Sequence, residues 1–114
     1  MQRFQYRGAR FPVDVFVDFT VKNSTLAGRC TEISKEGMKL ELRQPVERDS
    51  CGKVSIRFQG RKLEFSVRVV HVDLNTCGVE FLSASESEQI AIAHLIELLV
   101  VPGNRRGPIL LKIS

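Results

Sequence analysis

Residues 11–21, FPVDVFVDFTV, constrain the fold of this chain more than any other stretch. Val13, Val15, Val17, Phe19 and Val21 fall on one side of the pattern, and Asp14, Phe16, Asp18 and Thr20 on the other. A period of two belongs to a β-strand, whose successive side chains point to opposite faces; a helix would scatter the same apolar residues around its circumference. The segment is therefore expected to be a strand with one face in a core and the other in water, the usual situation in antiparallel sheets.

The same period recurs. Lys22-Asn23-Ser24 is turn chemistry, and 25–33 reads as a second strand in which Gly28 marks a bulge or a close approach. Residues 38–43 form a third strand. After the polar connection QPVERDSCG, residues 53–59 give a fourth through Val54, Ile56 and Phe58. Gly60-Arg61 turns the chain into a fifth, with Leu63, Phe65, Val67 and Val69 aligned, and Asp73-Leu74-Asn75 leads to a short sixth, TCGVEFL. Only then does the period change. Ser85 and Glu88 have capping-box spacing, and Ile92, Leu95, Ile96 and Leu99 follow at i, i+3, i+4 and i+7, which predicts a helix over 86–99 ended by Pro102 and Gly103. Six strands and then one helix predict a mainly β protein: a small six-stranded antiparallel barrel with one C-terminal α-helix. The expected organisation is a flexible basic N-terminal arm at 1–11, the barrel and helix at 12–100, and a C-terminal tail at 101–114.

At 114 residues, with 43% apolar and 26% charged residues, the chain can bury a core without staples. No apolar h-region follows the basic start and no window is long and apolar enough to span a bilayer, so a cytoplasmic protein without membrane insertion is expected. Cys30, Cys51 and Cys77 are odd in number and widely spaced, which argues against a metal site or a disulfide framework. His71 and His94 have no motif around them, and neither a phosphate-cradling glycine loop nor a nucleophile–base set is present; no enzymatic activity is expected.

The net charge of +4 is terminal. Arg3, Arg7 and Arg10 lie in residues 1–10, and Arg105, Arg106 and Lys112 in 101–114; neither segment holds an acid, so the body between them is net −2. A nucleic-acid footprint would put a basic stripe on the body, and with one tyrosine and no tryptophan that partner is disfavoured. Clustered arginines just before a strand suit a small anion, and in particular a guanine nucleotide, because the guanidinium meets phosphate and the Hoogsteen edge of guanine in planar, bidentate fashion. Residues 32–37, EISKEG, offer the complementary groups: the Glu32 carboxylate to accept from guanine N–H donors, the Ser34 hydroxyl, and Gly37, which permits a positive φ or a close approach. Each half also has a plain reading, a solvated basic terminus and an ordinary glycine-containing loop.

Taken together and in order, these features resemble the PilZ domain family of bacterial cyclic di-GMP receptors. The features are Arg3-Phe4-Gln5-Tyr6-Arg7 at R-x-x-x-R spacing, the strand opening RFPVDV, the (D/N)-x-S-x-x-G type element at 32–37, the late CGVEF and the single helix. The resemblance covers about residues 3–100. It departs at two points: Arg10 stands three residues after Arg7, and Glu32 occupies the place of Asp or Asn. The resemblance implies that Arg7 and Arg10, with Arg3 in reserve, clamp the phosphates and guanine of cyclic di-GMP, often as an intercalated dimer. Glu32 and Ser34 would read the guanine, and Gly37 would allow the turn. No cofactor besides this ligand is implied. The family's logic is a switch in which the arm folds across the barrel and presents a surface to an effector protein in exopolysaccharide synthesis, motility or pilus function, the receptor being a monomer or homodimer. The alternative is a degenerate PilZ-like interaction module that does not bind nucleotide, with the helix and the apolar tail 108–113 as contact surfaces.

Overall fold

The computed structural model describes residues 10–82 and 85–100, apart from Gln59 and the side chain of Phe58. Arg3, Arg7, most of the arm, the helix-ending Pro102 and Gly103, and the tail lie outside the described residues. Six strands form: β1 (Phe11–Val21), β2 (Ser24–Ile33), β3 (Gly37–Leu42), β4 (Cys51–Phe58), β5 (Arg61–Val72) and β6 (Thr76–Phe81). All pairings are antiparallel, and the sheet closes in the order β1-β2-β3-β6-β5-β4, with β4 returning to β1. Closure gives every strand a partner on both sides over at least part of its length, which is how so small a sheet satisfies much of its backbone. The expected barrel is the observed one; β3 starts one residue earlier than its periodicity suggests and β4 two.

The alternation of β1 has the expected sense. Val17 and Phe19 are buried while Asp14, Phe16 and Thr20 are exposed. Phe19 belongs to the same buried cluster as Met38, Leu40, Val54, Ile56 and Val79, all of them fully buried. Each such side chain contributes about 1.5–3 kcal/mol through the apolar surface it removes from water. Phe65 and Phe81 close part of the packing with ring centroids 5.5 Å apart and a tilt of 58°. Gly28 is a close approach and not a bulge: a Cβ there would lie 2.3 Å from the Glu41 carbonyl oxygen.

Helix α1 (Glu86–Val100) rests against the barrel through Ile92, Leu95 and Ile96. Its start is capped as the Ser85/Glu88 spacing predicts: the Glu88 N–H donates to Ser85 Oγ at 3.1 Å, and the Ser85 hydroxyl donates to the Glu88 carboxylate at 3.2 Å. Among the described residues no helix is long and apolar enough to cross a membrane.

The cysteines give a first testable consequence. Burial pushes the Cys30 thiol up to about 12 and the Cys77 thiol up to about 11, whereas Cys51 is exposed. The thiolate is the reactive form. At neutral pH an aromatic disulfide reagent should therefore label Cys51 promptly, and Cys30 and Cys77 only as fast as the barrel opens. Prompt labelling of all the thiols in folded protein would contradict this packing.

Candidate functional site

The residues singled out at 32–37 join β2 to β3 by a short, highly bonded loop. The Ser34 N–H donates to the Gly37 carbonyl at 2.9 Å. The Ser34 side chain turns inward, is fully buried, and accepts from the N–H groups of Glu36 at 3.1 Å and Gly37 at 3.2 Å. Its hydroxyl thus takes the place of a backbone acceptor in a tight turn, as serine side chains do in such loops. The loop is also tied to β6, because Phe81 N–H donates to the Glu36 carbonyl at 2.8 Å. These bonds make the short connection between β2 and β3 a braced ledge at the end of the barrel.

Gly37 is needed here for a reason other than a left-handed turn. Gly60, with φ of 79°, is the glycine found in the left-handed region among the described residues, and Gly37 is not. A Cβ on Gly37 would lie 2.0 Å from the Val79 carbonyl oxygen and 3.1 Å from Glu80 Cα. Its hydrogen atom lets β3 and β6 come together directly beneath the ledge.

Glu32 faces outward because β2 bulges. Cys30 pairs with Leu40 and Glu32 with Lys39, leaving Thr31 as an extra residue. In a regular strand Cys30 and Glu32, two apart, would share a face; the bulge sends Cys30 into the core and Glu32 to the surface. The Cys30 thiol donates to the Glu32 carbonyl at 3.1 Å across the bulge. The pairing of β1 with β2 shifts over the same stretch, between Pro12 and Val15. Arg10 then lies 3.6 Å from the Glu32 carboxylate, with both side chains partly exposed. Such a surface pair adds little stability, yet it holds a cation and a carboxylate side by side.

Two other carboxylates at this end are engaged, the first being Glu36, which accepts from the Ser34 hydroxyl at 3.4 Å. Glu80 stands opposite Gly37 and accepts from Arg68 Nε at 2.9 Å, while Arg68 Nη1 reaches Asp49 at 2.9 Å. The hydrogen bond to Glu80 holds the Arg68 pKa still further above its ordinary value. That leaves Glu32 as the acceptor beside Arg10 at the ledge. Of the sequence-derived site residues, Arg10, Glu32, Ser34 and Gly37 converge around this one corner; Arg3 and Arg7 lie outside the described residues. Among the described residues no group of three His, Cys, Asp or Glu side chains could hold a metal ion.

The sequence profile described as PilZ domain matches residues 2–98. The chain belongs to the PilZ domain family. Its barrel is similar to that of the PilZ domain of CeSA from a cellulose-synthesizing bacterium, with a TM-score of 0.71 at 12% identity, covering 78% of this chain and 95% of that one. A Legionella uncharacterized protein, Lpg0364, is similar with a TM-score of 0.58 at 14% identity, covering 80% of this chain and 92% of the other. No curated protein matches the sequence. At these identities the two structures speak for the fold, and the family's profile speaks for membership.

Proposed function

We propose that this PilZ domain is a cyclic di-GMP receptor whose site is the corner formed by the arm and residues 32–37. The observation that carries the reading is the outward Glu32 carboxylate held 3.6 Å from Arg10 beside a ledge locked by Ser34. A carboxylate can accept two N–H donors from a guanine edge, and a guanidinium can meet a phosphate or the Hoogsteen face of the same nucleotide. Arg10 and Arg7, with Arg3 behind them, supply the cations. Ser34 contributes by shaping the ledge, since its hydroxyl is engaged within it, and Gly37 by bringing β6 beneath it. Binding then draws the basic arm, residues 1–11, across a body that is net −2 outside its termini, and the covered face is what an effector in exopolysaccharide synthesis, motility or pilus function reads.

Isothermal titration with cyclic di-GMP at moderate salt tests the reading. Micromolar or tighter binding is expected, weakened at least about tenfold in the Arg7→Ala/Arg10→Ala variant because each lost charge-assisted contact is worth that much. Absence of binding by folded protein would reject it in favour of an interaction module that does not take nucleotide.

A further inference from the structure

The outer face of β1 holds a large apolar side chain in water. Phe16 is 78% exposed at the middle of the strand, where the alternation that buries Val17 and Phe19 turns it outward. Charges surround it in a cross. Along the strand, Asp14 and Asp18 precede and follow it on the same face. Across the sheet, Phe16 pairs directly with Arg29 of β2. On its other side Val17 pairs with Ile56 of β4, so Arg57, the next residue of β4, lies beside Phe16. Acids therefore stand about 7 Å away along the strand and cations about 5 Å away across it, with the aromatic ring between them.

Two of these four charges lack a counter-ion. Arg29 lies 3.4 Å from Asp14 and 3.7 Å from Glu41. Arg57 and Asp18 make no ion pair among the described residues. Arg57 is moreover directly opposed to Lys62 of β5, and like charges so placed destabilise a sheet. Lys62 has an acid of its own, Glu64 at 3.5 Å, whereas Arg57 has none. An exposed aromatic ring with a free cation and a free carboxylate beside it is the make-up of an interface centre and its polar rim.

The pattern complements itself. When a second copy is laid face to face on it with the two β1 strands crossing near a right angle, acids lie over cations, because the quarter turn exchanges the two arms of the cross. Near-orthogonal crossing is one of the two ways in which sheets pack face to face. A two-fold axis at the Phe16 position then makes every contact twice, as an isologous interface requires. We infer that the outer face of β1 is a homodimer interface, with the two Phe16 rings stacked at the axis and Arg57 of each copy against Asp18 of the other. The rings supply the apolar burial, and the charge pairs fix the crossing. Two convex barrels meeting at this one patch bury less than the roughly 800 Å² per partner of a standard interface, so the dimer is weak and forms with concentration. None of these residues belongs to the corner formed by Arg10, Glu32, Ser34 and Gly37, and association needs no nucleotide.

Sedimentation equilibrium of the full chain without nucleotide, from about 10 µM to about 1 mM, is the test. The average mass is expected to rise from 12.9 kDa toward twice that value. Phe16→Ser, Arg57→Asp and Asp18→Arg should each weaken the dimer at least about tenfold, the last two by setting like charges against each other. An equal mixture of Arg57→Asp and Asp18→Arg should restore it, since both contacts of the mixed pair again join opposite charges. Recovery in the mixture also shows that both variants fold. A mass that stays at 12.9 kDa to the highest concentration would overturn the interface. A dimer that survives Phe16→Ser would do the same, as would a mixture that remains monomeric while each variant keeps the urea midpoint of the unaltered chain.

Discussion

Gly37→Ala is expected to destabilise the domain by about 3 kcal/mol or more, at the upper end of what overpacking costs. The added Cβ would sit 2.0 Å from the Val79 carbonyl oxygen and 3.0 Å from its carbon. Those atoms are backbone, so no rotamer change relieves the contact and β3 must move away from β6. Such a movement weakens the pairing of Met38 with Val79, both fully buried, and strains the Phe81 bond to Glu36. Gly60→Ala is the internal comparison. Gly60 has φ of 79° but nothing within 4 Å of a built Cβ, so alanine there meets only the left-handed backbone penalty, about 1–2 kcal/mol. Urea unfolding of the two variants separates the mechanisms, since both lose one glycine's flexibility in the unfolded chain. A Gly37→Ala midpoint no lower than that of Gly60→Ala would show that strand approach is not what demands glycine at 37.

The contrast between these glycines marks where the sequence is legible. The barrel followed from alternation in Val13 to Val21, Val54 to Phe58 and Leu63 to Val69, because period two is a local property and each strand displays it alone. The ledge residues could be named from spacing, since Glu32, Ser34 and Gly37 stand in a recognisable order. Their directions could not. Whether Gly37 serves a turn or a close approach depends on β6, more than forty residues away, and a spacing motif carries no information about that neighbour. The bulges at Thr31 and Val70 are equally non-local: Cys30-Thr31-Glu32 and Val69-Val70-His71 look like ordinary strand, and the extra residue is demanded by how the closed sheet bends. One sign was present in retrospect. Strict alternation from Cys30 would have put Glu32 in the core and Ile33 outside, a conflict that a bulge resolves; Ile33 is in fact buried.

Ser34→Ala is expected to weaken the fold by about 2–4 kcal/mol and to weaken cyclic di-GMP binding with it. The substitution keeps the shape of a fully buried site while removing the acceptor for the Glu36 and Gly37 N–H groups. A buried donor left without a partner costs about 1–3 kcal/mol, and the Gly37 N–H is buried. The Ser34 N–H bond to Gly37 and the Phe81 bond to Glu36 survive, so the ledge should loosen without the barrel unfolding. Hydrogen exchange at Glu36 and Gly37 would then accelerate before that of the core strands. This distinguishes two ways in which a serine in a ligand motif can matter. If the Ser34 hydroxyl touched nucleotide directly, affinity would fall while stability and exchange stayed as in the unaltered chain. If it works through the ledge, all three change together, because Glu32 stands on β2 immediately before the loop that the hydroxyl holds closed. The inward orientation of Ser34 predicts the second outcome; unchanged stability and exchange in Ser34→Ala would refute it.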